Sequence, residues 1–272
     1  MFYLLLTFFG CISGLTAVLF GFGGGFVVVP LLYRMLMASH GADDPIGQSA
    51  MHIAVATSTC VMIVNALIAT LKHQRAGHLI RHYLWPLGGF IGVGAIVGAA
   101  AAVWASGEMI RYAFIVYLGI TILDCVFRRG FLTQPNDGVP RRLRRVEAAG
   151  VGIGAIATFL GVGGSVMTVP LLRRCGLSMS QATSMANPLS LPVAVAGTLT
   201  YMTMAGVTGL GLGPWFIGYV DLLAFALLTL GALVGIWLAT PWRGRIPDSV
   251  HARVYIGLLM LVMFSMTLNS LA

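Results

Sequence analysis

Residues 1–33 contain no Asp, Glu, Lys or Arg. Six comparable runs follow, at 45–71, 82–107, 148–172, 175–220, 222–242 and 254–272, with a shorter one at 112–123 between Arg111 and Asp124. A helix needs about 20 apolar residues to cross the hydrocarbon core of a bilayer, so these runs fix the solvent before anything else. Only 9% of the residues are charged and 58% are hydrophobic, whereas a soluble domain carries roughly 25% charged residues. A soluble fold of this composition would have no polar face left for water. Strands of a membrane barrel would alternate apolar and polar residues, and these runs do not. The reading is an all-α polytopic membrane protein, with the N-terminal run as part of the mature fold because it lacks a basic leader and outlasts a signal-peptide core.

The runs repeat. "GFGGGFVVVPLL" at 21–32 returns as "GVGGSVMTVPLL" at 161–172. "ATS" at 56–58 returns at 182–184, "GAIVG" at 94–98 returns as "GALVG" at 231–235, and "YLG" at 117–119 returns as "YIG" at 255–257. Four matches in one order make the chain two homologous halves, 1–128 and 146–272. They are joined at 129–145 by a linker rich in arginine, which reads as a solvated cytoplasmic loop under the positive-inside rule and not as a nucleic-acid surface. Each half holds a glycine-broken segment and three plainer spans, eight apolar segments in all.

Loop charge bears on orientation. With the linker inside the cell, every other basic loop falls inside only if each broken segment enters the membrane and returns to the same side. The halves are then inverted and both termini lie outside. Residues 1–37 as one helix would span about 55 Å at 1.5 Å per residue, too long for a core of about 30 Å. Folded at the glycines, each arm reaches the bilayer middle or somewhat beyond.

Glycine tolerates positive φ and proline lacks an amide hydrogen, so Gly21, Pro30, Gly161 and Pro170 read as helix-breaking positions. A broken helix in lipid leaves unpaired backbone groups, tolerated only where the break is buried in protein or lines a polar cavity. Helices starting near Phe26 and Val166 would aim their first amides at such a cavity, and helix N-termini attract anions. The expected lining is Gly23, Gly24 and Gly25 with Thr57 and Ser58, then Gly163, Gly164 and Ser165 with Thr183, Ser184 and Asn187. Alternatives at these positions are tight helix packing for the glycines and interhelical bonding for the hydroxyls. Gly47, Gln48, Ser180 and Gln181 read as caps.

Ionisable groups at depth would signal proton coupling. His52 is the candidate, against a structural role. His73, His78 and His82 read as interfacial loop residues, and Asp124 and Asp221 as span ends. Trp85, Trp215, Tyr219 and Trp242 read as an aromatic belt. Cys11, Cys60, Cys125 and Cys175 lack metal spacing and read as small buried hydrophobes. No metal or cofactor is called for. HExxH, G-x-S-x-G and clustered carboxylates are absent from the sequence, which argues against an intramembrane enzyme.

The twin glycine motifs with their prolines, the repeated "ATS", the duplication and the length together resemble the TauE/SafE sulfite exporter family over essentially the whole chain. The resemblance implies a permease of the bacterial inner membrane that exports or exchanges sulfite or organosulfonates. It carries onto Gly21, Gly23, Gly24, Gly25 and Pro30, onto Gly161, Gly163, Gly164 and Pro170, and onto both Thr-Ser pairs. Ser165 departs from it, as do Pro188 and Pro192 after the second "ATS". The expected partners are a small anion and the lipid bilayer, with proton or cation coupling if the anion moves inward. An anion channel, or an uptake permease for another small anion, would use the same cradle.

Overall fold

The computed structural model describes residues 2–41, 44–75, 84–127, 131, 146–208 and 212–268. The linker at 129–145 lies outside the described residues except for Phe131, and His78 and His82 lie outside them too.

The first half supplies α1 (Phe2–Phe20), α2 (Gly25–Ser39), the short α3 (Pro45–Gln48), α4 (Ala50–Arg75), α5 (Leu87–Trp104) and α6 (Gly107–Phe127). The second supplies α7 (Val146–Phe159), α8 (Ser165–Arg174), α9 (Met179–Thr208), a two-strand turn β1 (Phe216–Ile217) and β2 (Val220–Asp221), α10 (Leu222–Ala239) and α11 (Asp248–Leu268). By length and composition, α1, α4, α5, α6, α10 and α11 are able to cross a membrane. The protein is an all-α polytopic membrane protein. One expectation changes: α1, at 19 residues, is about 28 Å long and is no half-span arm, whereas α7 at 14 residues is.

Glycine sets which helices meet. An ideal Cβ on Gly10 would stand 2.3 Å from the Leu228 carbonyl oxygen, and one on Gly14 2.1 Å from that of Ala232. Gly231 and Gly235 press back in the same way on Thr7 and Cys11. Both helices of this crossing therefore offer small residues four apart, which lets their backbones touch. The α5–α7 crossing is built alike, with Gly94 and Gly98 against Val151 and Ala155, and Gly154 against Ile91. In each crossing the contacts advance together along both chains, so α1 runs parallel to α10 and α5 parallel to α7.

The directions of the rest follow from their ends. Thr57 bonds to Asp221 and Lys72 to Thr240, so α4 runs parallel to α10. Gly88 meets Leu189 and Gly92 meets Pro192, so α9 runs parallel to α5. Gly107 meets Met51 and Asp124 pairs with Arg174, which carries α6 in the sense of α4. The broken segments α1–α2 and α7–α8 consequently run in opposite senses. Lys72, Arg75, Arg173, Arg174, Arg243, Arg245 and Arg253 gather at one end of the bundle, hereafter the basic end. Arg34 and Arg111 lie at the other, with Asp44, Glu108 and Asp221.

Several side chains differ from expectation. Tyr219 is buried and its ring lies 5.4 Å from that of His52, so it is no belt residue; Trp85, Trp215 and Trp242 are exposed. His73 is buried in the last turn of α4, not in a loop. His52 approaches the carbonyls of Ala102 and Ala105 at 3.2 and 3.0 Å and closes the C-terminal end of α5. Cys125 and Cys175 are buried and Cys11 and Cys60 half-buried. Ser178, rather than Ser180, caps α9: its hydroxyl accepts from the Gln181 amide while Gln181 accepts from the Ser178 amide, a reciprocal capping box.

Candidate functional site

Both glycine clusters break their helices. Gly21, Gly23 and Gly24 have φ of 73°, 63° and 93°, and Gly161 has φ of 66°, a region that costs any other L-residue strain. The copies are not identical, since Gly164 sits at φ −53° where Gly24 is left-handed. The expected helix starts near Phe26 and Val166 fall at Gly25 and Ser165. Pro30 and Pro170 do not break anything: each is the sixth residue of an unbroken helix, α2 or α8. A proline there removes one amide donor from the ladder, but the chain turns earlier, at the glycines.

The two breaks touch. A Cβ on Gly25 would meet the Gly161 carbonyl oxygen at 2.7 Å, and one on Gly163 would meet the Phe22 carbonyl oxygen at 3.2 Å. They are wedged between α4 and α9, and Met62 and Ser190 each contact both Gly23 and Gly163. Tyr255 of α11 closes a third side: its ring stacks on Phe22 at 4.8 Å and its hydroxyl donates to the Ser165 carbonyl at 3.4 Å. Residues 21–25 and 161–165 are all buried.

No side chain caps α2 or α8. The first amides of a helix have no partner within it, and the N-terminal dipole adds roughly half a positive charge. Two such starts therefore lie at one buried locus.

The hydroxyl and amide residues divide. The Ser58 hydroxyl donates to the Gly161 carbonyl at 2.6 Å, and the Asn187 amide donates to the Ala17 carbonyl at 3.0 Å, just before the first break. The Ser165 hydroxyl turns back on the Gly163 carbonyl at 3.3 Å. Thr183 lies against Gly21 through its backbone, but its hydroxyl bonds along its own helix to Met179. Ser184 bonds likewise to Ser180. Thr57 accepts from the Asp221 amide and so anchors the two-strand turn. Ser184 thus has its proton engaged along its own helix, whereas Thr57 holds the two-strand turn as an acceptor, a bond that leaves its own proton uncommitted. Asp221 caps α10 by accepting from Leu223 and Ala224; burial pushes its carboxyl above the usual range, and those two bonds oppose the shift.

Sequence reasoning passed over Ser13, Met62, Asn65 and Ser190. The Asn65 amide donates to the Ser13 hydroxyl at 3.2 Å, and Ser13 in turn to the Gly24 carbonyl at 2.9 Å, tying α4, α1 and the break together. The available signal was a polar residue, Asn65, inside a charge-free run, about two turns beyond the "ATS" at 56–58. Two grooves flank the site: one of about 400 Å³ beside Pro30 and Arg34, the other of about 600 Å³ beside Pro170, Arg174 and Asp124.

A profile of the family described as sulfite exporter TauE/SafE matches residues 6–266. A probable membrane transporter protein of Methanocaldococcus jannaschii is 24% identical over 80% of this chain and 78% of its own length. One from Haemophilus influenzae is 22% identical over 98% and 99%, and one from Xylella fastidiosa is 27% identical over 60% and 59%. No solved structure matches. With the profile spanning nearly the whole chain and relatives of that description, this protein is a multi-pass membrane transporter, not an enzyme, and belongs to the sulfite exporter TauE/SafE family.

Proposed function

We propose that the transporter carries small anions, sulfite or organosulfonate-type sulfur compounds foremost, across the bacterial inner membrane by alternating access around the paired breaks. The observation that carries this is the meeting of two uncapped helix starts, Gly25 and Ser165, at one buried locus between α4 and α9. A desolvated oxyanion gains backbone donors and two dipole ends there without a buried lysine or arginine. Sulfite and sulfonates present several acceptor oxygens to such donors. In the conformation seen, the cradle is packed shut, with the Gly161 carbonyl over Gly25. Admission of a guest requires the two breaks to part.

We read 1–128 and 146–272 as inverted repeats. Met62 and Ser190 serve both breaks, and the two glycine crossings pair helices between halves, α1 with α10 and α7 with α5. The flanking grooves pair Pro30 and Arg34 with Pro170 and Arg174. Under the positive-inside rule, the basic end is cytoplasmic. An inside-negative potential then favours anion exit by about 2.3 kcal/mol per charge per 100 mV, so export needs no second ion, whereas import needs one.

The test is reconstitution in liposomes with labelled sulfite, sulfonates, thiosulfate, acetate and chloride, with and without imposed potential. Saturable flux of a sulfur oxyanion that responds to the potential is the expected result. Absence of flux for every anion in the panel by folded protein would refute the assignment, and flux far above transporter turnover would identify a channel.

A further inference from the structure

Arg111 is a charge without a counter-charge. It is the fifth residue of α6, about 6 Å along the axis from the helix start, and only 9% exposed. Two phenols meet its guanidinium. Nη1 donates to the Tyr33 hydroxyl and Nη2 to the Tyr112 hydroxyl, both at 3.4 Å. These contacts are long, since an arginine on a charged acceptor closes to about 2.7–2.9 Å. The guanidinium carbon also stands 5.0 Å from the centre of the Tyr112 ring. Nε is buried and has no partner. Among the described residues no carboxylate pairs with this side chain, and Glu108, one turn earlier, is exposed.

A junction elsewhere in the molecule supplies the contrast. Tyr33 is the ninth residue of α2, as Arg173 is of α8, and each meets the opening turns of a long helix, α6 or α11. Where α8 meets α11, the arginine takes Asp248 at 2.9 Å and two backbone carbonyls. Where α2 meets α6, the arginine stands on the long helix, and a tyrosine faces it from the short one. An acid in that place would cancel the charge. A tyrosine leaves it available. Ionisable residues within spans are expensive and ordinarily paired, and they mark functional positions.

The two phenols add donors to that charge. Each tyrosine oxygen accepts from Arg111, so each hydroxyl keeps its own proton to give, and neither donates to another of the described residues. Both hydroxyls touch nitrogens of one guanidinium, so all three groups stand around a single positive charge. Arginine's planar fork of N–H donors matches the oxygens of a phosphate-type group. Met109, Tyr112 and Val116 of α6 are exposed, so this side of the helix faces the bilayer.

We propose that Arg111, Tyr33 and Tyr112 form a binding site for a singly charged tetrahedral oxyanion, at the end of the bundle opposite the basic end. The ligand's oxygens accept from the guanidinium and from both phenols, and its charge supplies the missing partner. The phosphodiester of a membrane lipid and a free phosphate-type ion share this chemistry, one arriving from the bilayer and the other from water. The site is separate from the paired breaks, because Tyr33 lies eight residues beyond Gly25, about 12 Å along α2. It does not rest on the transport reading above.

The experiment uses purified full-length protein in a neutral detergent. One arm titrates phosphatidylglycerol and counts bound lipid by native mass spectrometry. The other titrates ³²P-labelled inorganic phosphate in equilibrium dialysis. Saturable binding is expected in at least one arm, weakened at least tenfold in Arg111→Gln and at least threefold in Tyr33→Phe and in Tyr112→Phe. Binding of the lipid alone assigns the site to a headgroup, and binding of phosphate assigns it to a free ion. Thermal midpoints without ligand serve as the folding control. Should Arg111→Gln misfold, the double variant Tyr33→Phe/Tyr112→Phe, which keeps the arginine, decides the matter by the same tenfold loss. Absence of saturable binding to wild type in both arms overturns the site. Undiminished binding in folded Arg111→Gln, or in the double variant, overturns it too. Arg111-dependent binding beside a silent transport panel would refute the transport reading alone.

Discussion

The Ser58 hydroxyl donates to the Gly161 carbonyl across 2.6 Å, so the repeated "ATS" of the first half supports the helix break of the second. That one bond crosses the centre of the molecule and satisfies a carbonyl left over where α7 ends.

Ser58→Ala leaves that carbonyl buried and unpaired. The expected cost is about 1–3 kcal/mol, read as a lower thermal midpoint in detergent, with anion flux reduced further than stability alone accounts for. Thr57→Ala, whose hydroxyl serves the Asp221 amide instead, should lower stability without that excess loss of flux.

Gly24→Ala forces a left-handed residue and drives a Cβ to 2.1 Å from the Asn65 amide nitrogen. Backbone strain alone costs about 1–3 kcal/mol, and the contact adds to it. Gly257→Ala, where nothing lies within 4 Å, should be neutral or stabilising by up to about 1 kcal/mol. Paired thermal melts decide the matter.

Arg173 is 1% exposed and pairs with Asp248 at 2.9 Å, also donating to the Phe131 and Leu177 carbonyls. Removing one partner of a buried pair costs about 3–5 kcal/mol, so Arg173→Ala should unfold the basic end readily. Arg174→Ala removes a pair that is 43% exposed on the arginine side and should cost less than about 1 kcal/mol. Denaturation of the two variants side by side is the check.

Asp221 yields a pH prediction. Its folded carboxyl titrates above the ordinary value because burial disfavours the ion. Folding therefore disfavours the ionised form: the penalty is absent below the unfolded pKa and complete above the folded one. Asp221→Asn, an equally good cap, should remove this slope, so that the variant gains stability relative to wild type as pH rises through that window.

Single cysteines on a cysteine-free background test the placement of the ends. Ser178 and Gly244, at the basic end, should resist an impermeant thiol reagent applied to intact cells, whereas Ser106 and Gly213 should react. Labelling of the first pair from outside would reverse the assigned orientation.

Much of this was readable in the residues. Charge-free runs fix the solvent because a charge in hydrocarbon is costly, and repeated "GxGG" fixes where helices snap because only glycine takes those φ values freely. Proline misled. Pro30 and Pro170 look like breakers, yet a helix tolerates the loss of one donor near its start, and both lie inside α2 and α8. Ser184 differs in another way: composition tells that a hydroxyl is present, not that its proton already goes to the Ser180 carbonyl. Asn65 went unnoticed because its importance lies in a bond to Ser13, 52 residues away.

The glycine crossings bear on motion. With α1 locked to α10 and α5 to α7, backbone against backbone, neither sequence half is a self-contained lever. Any swing that carries one half's opening helix drags along the helix of the other half that is locked to it. On the alternating-access reading the moving units are chimaeras, each joining helices from both halves of the chain, and severing the chain between residues 128 and 146 should yield fragments that function only when made together.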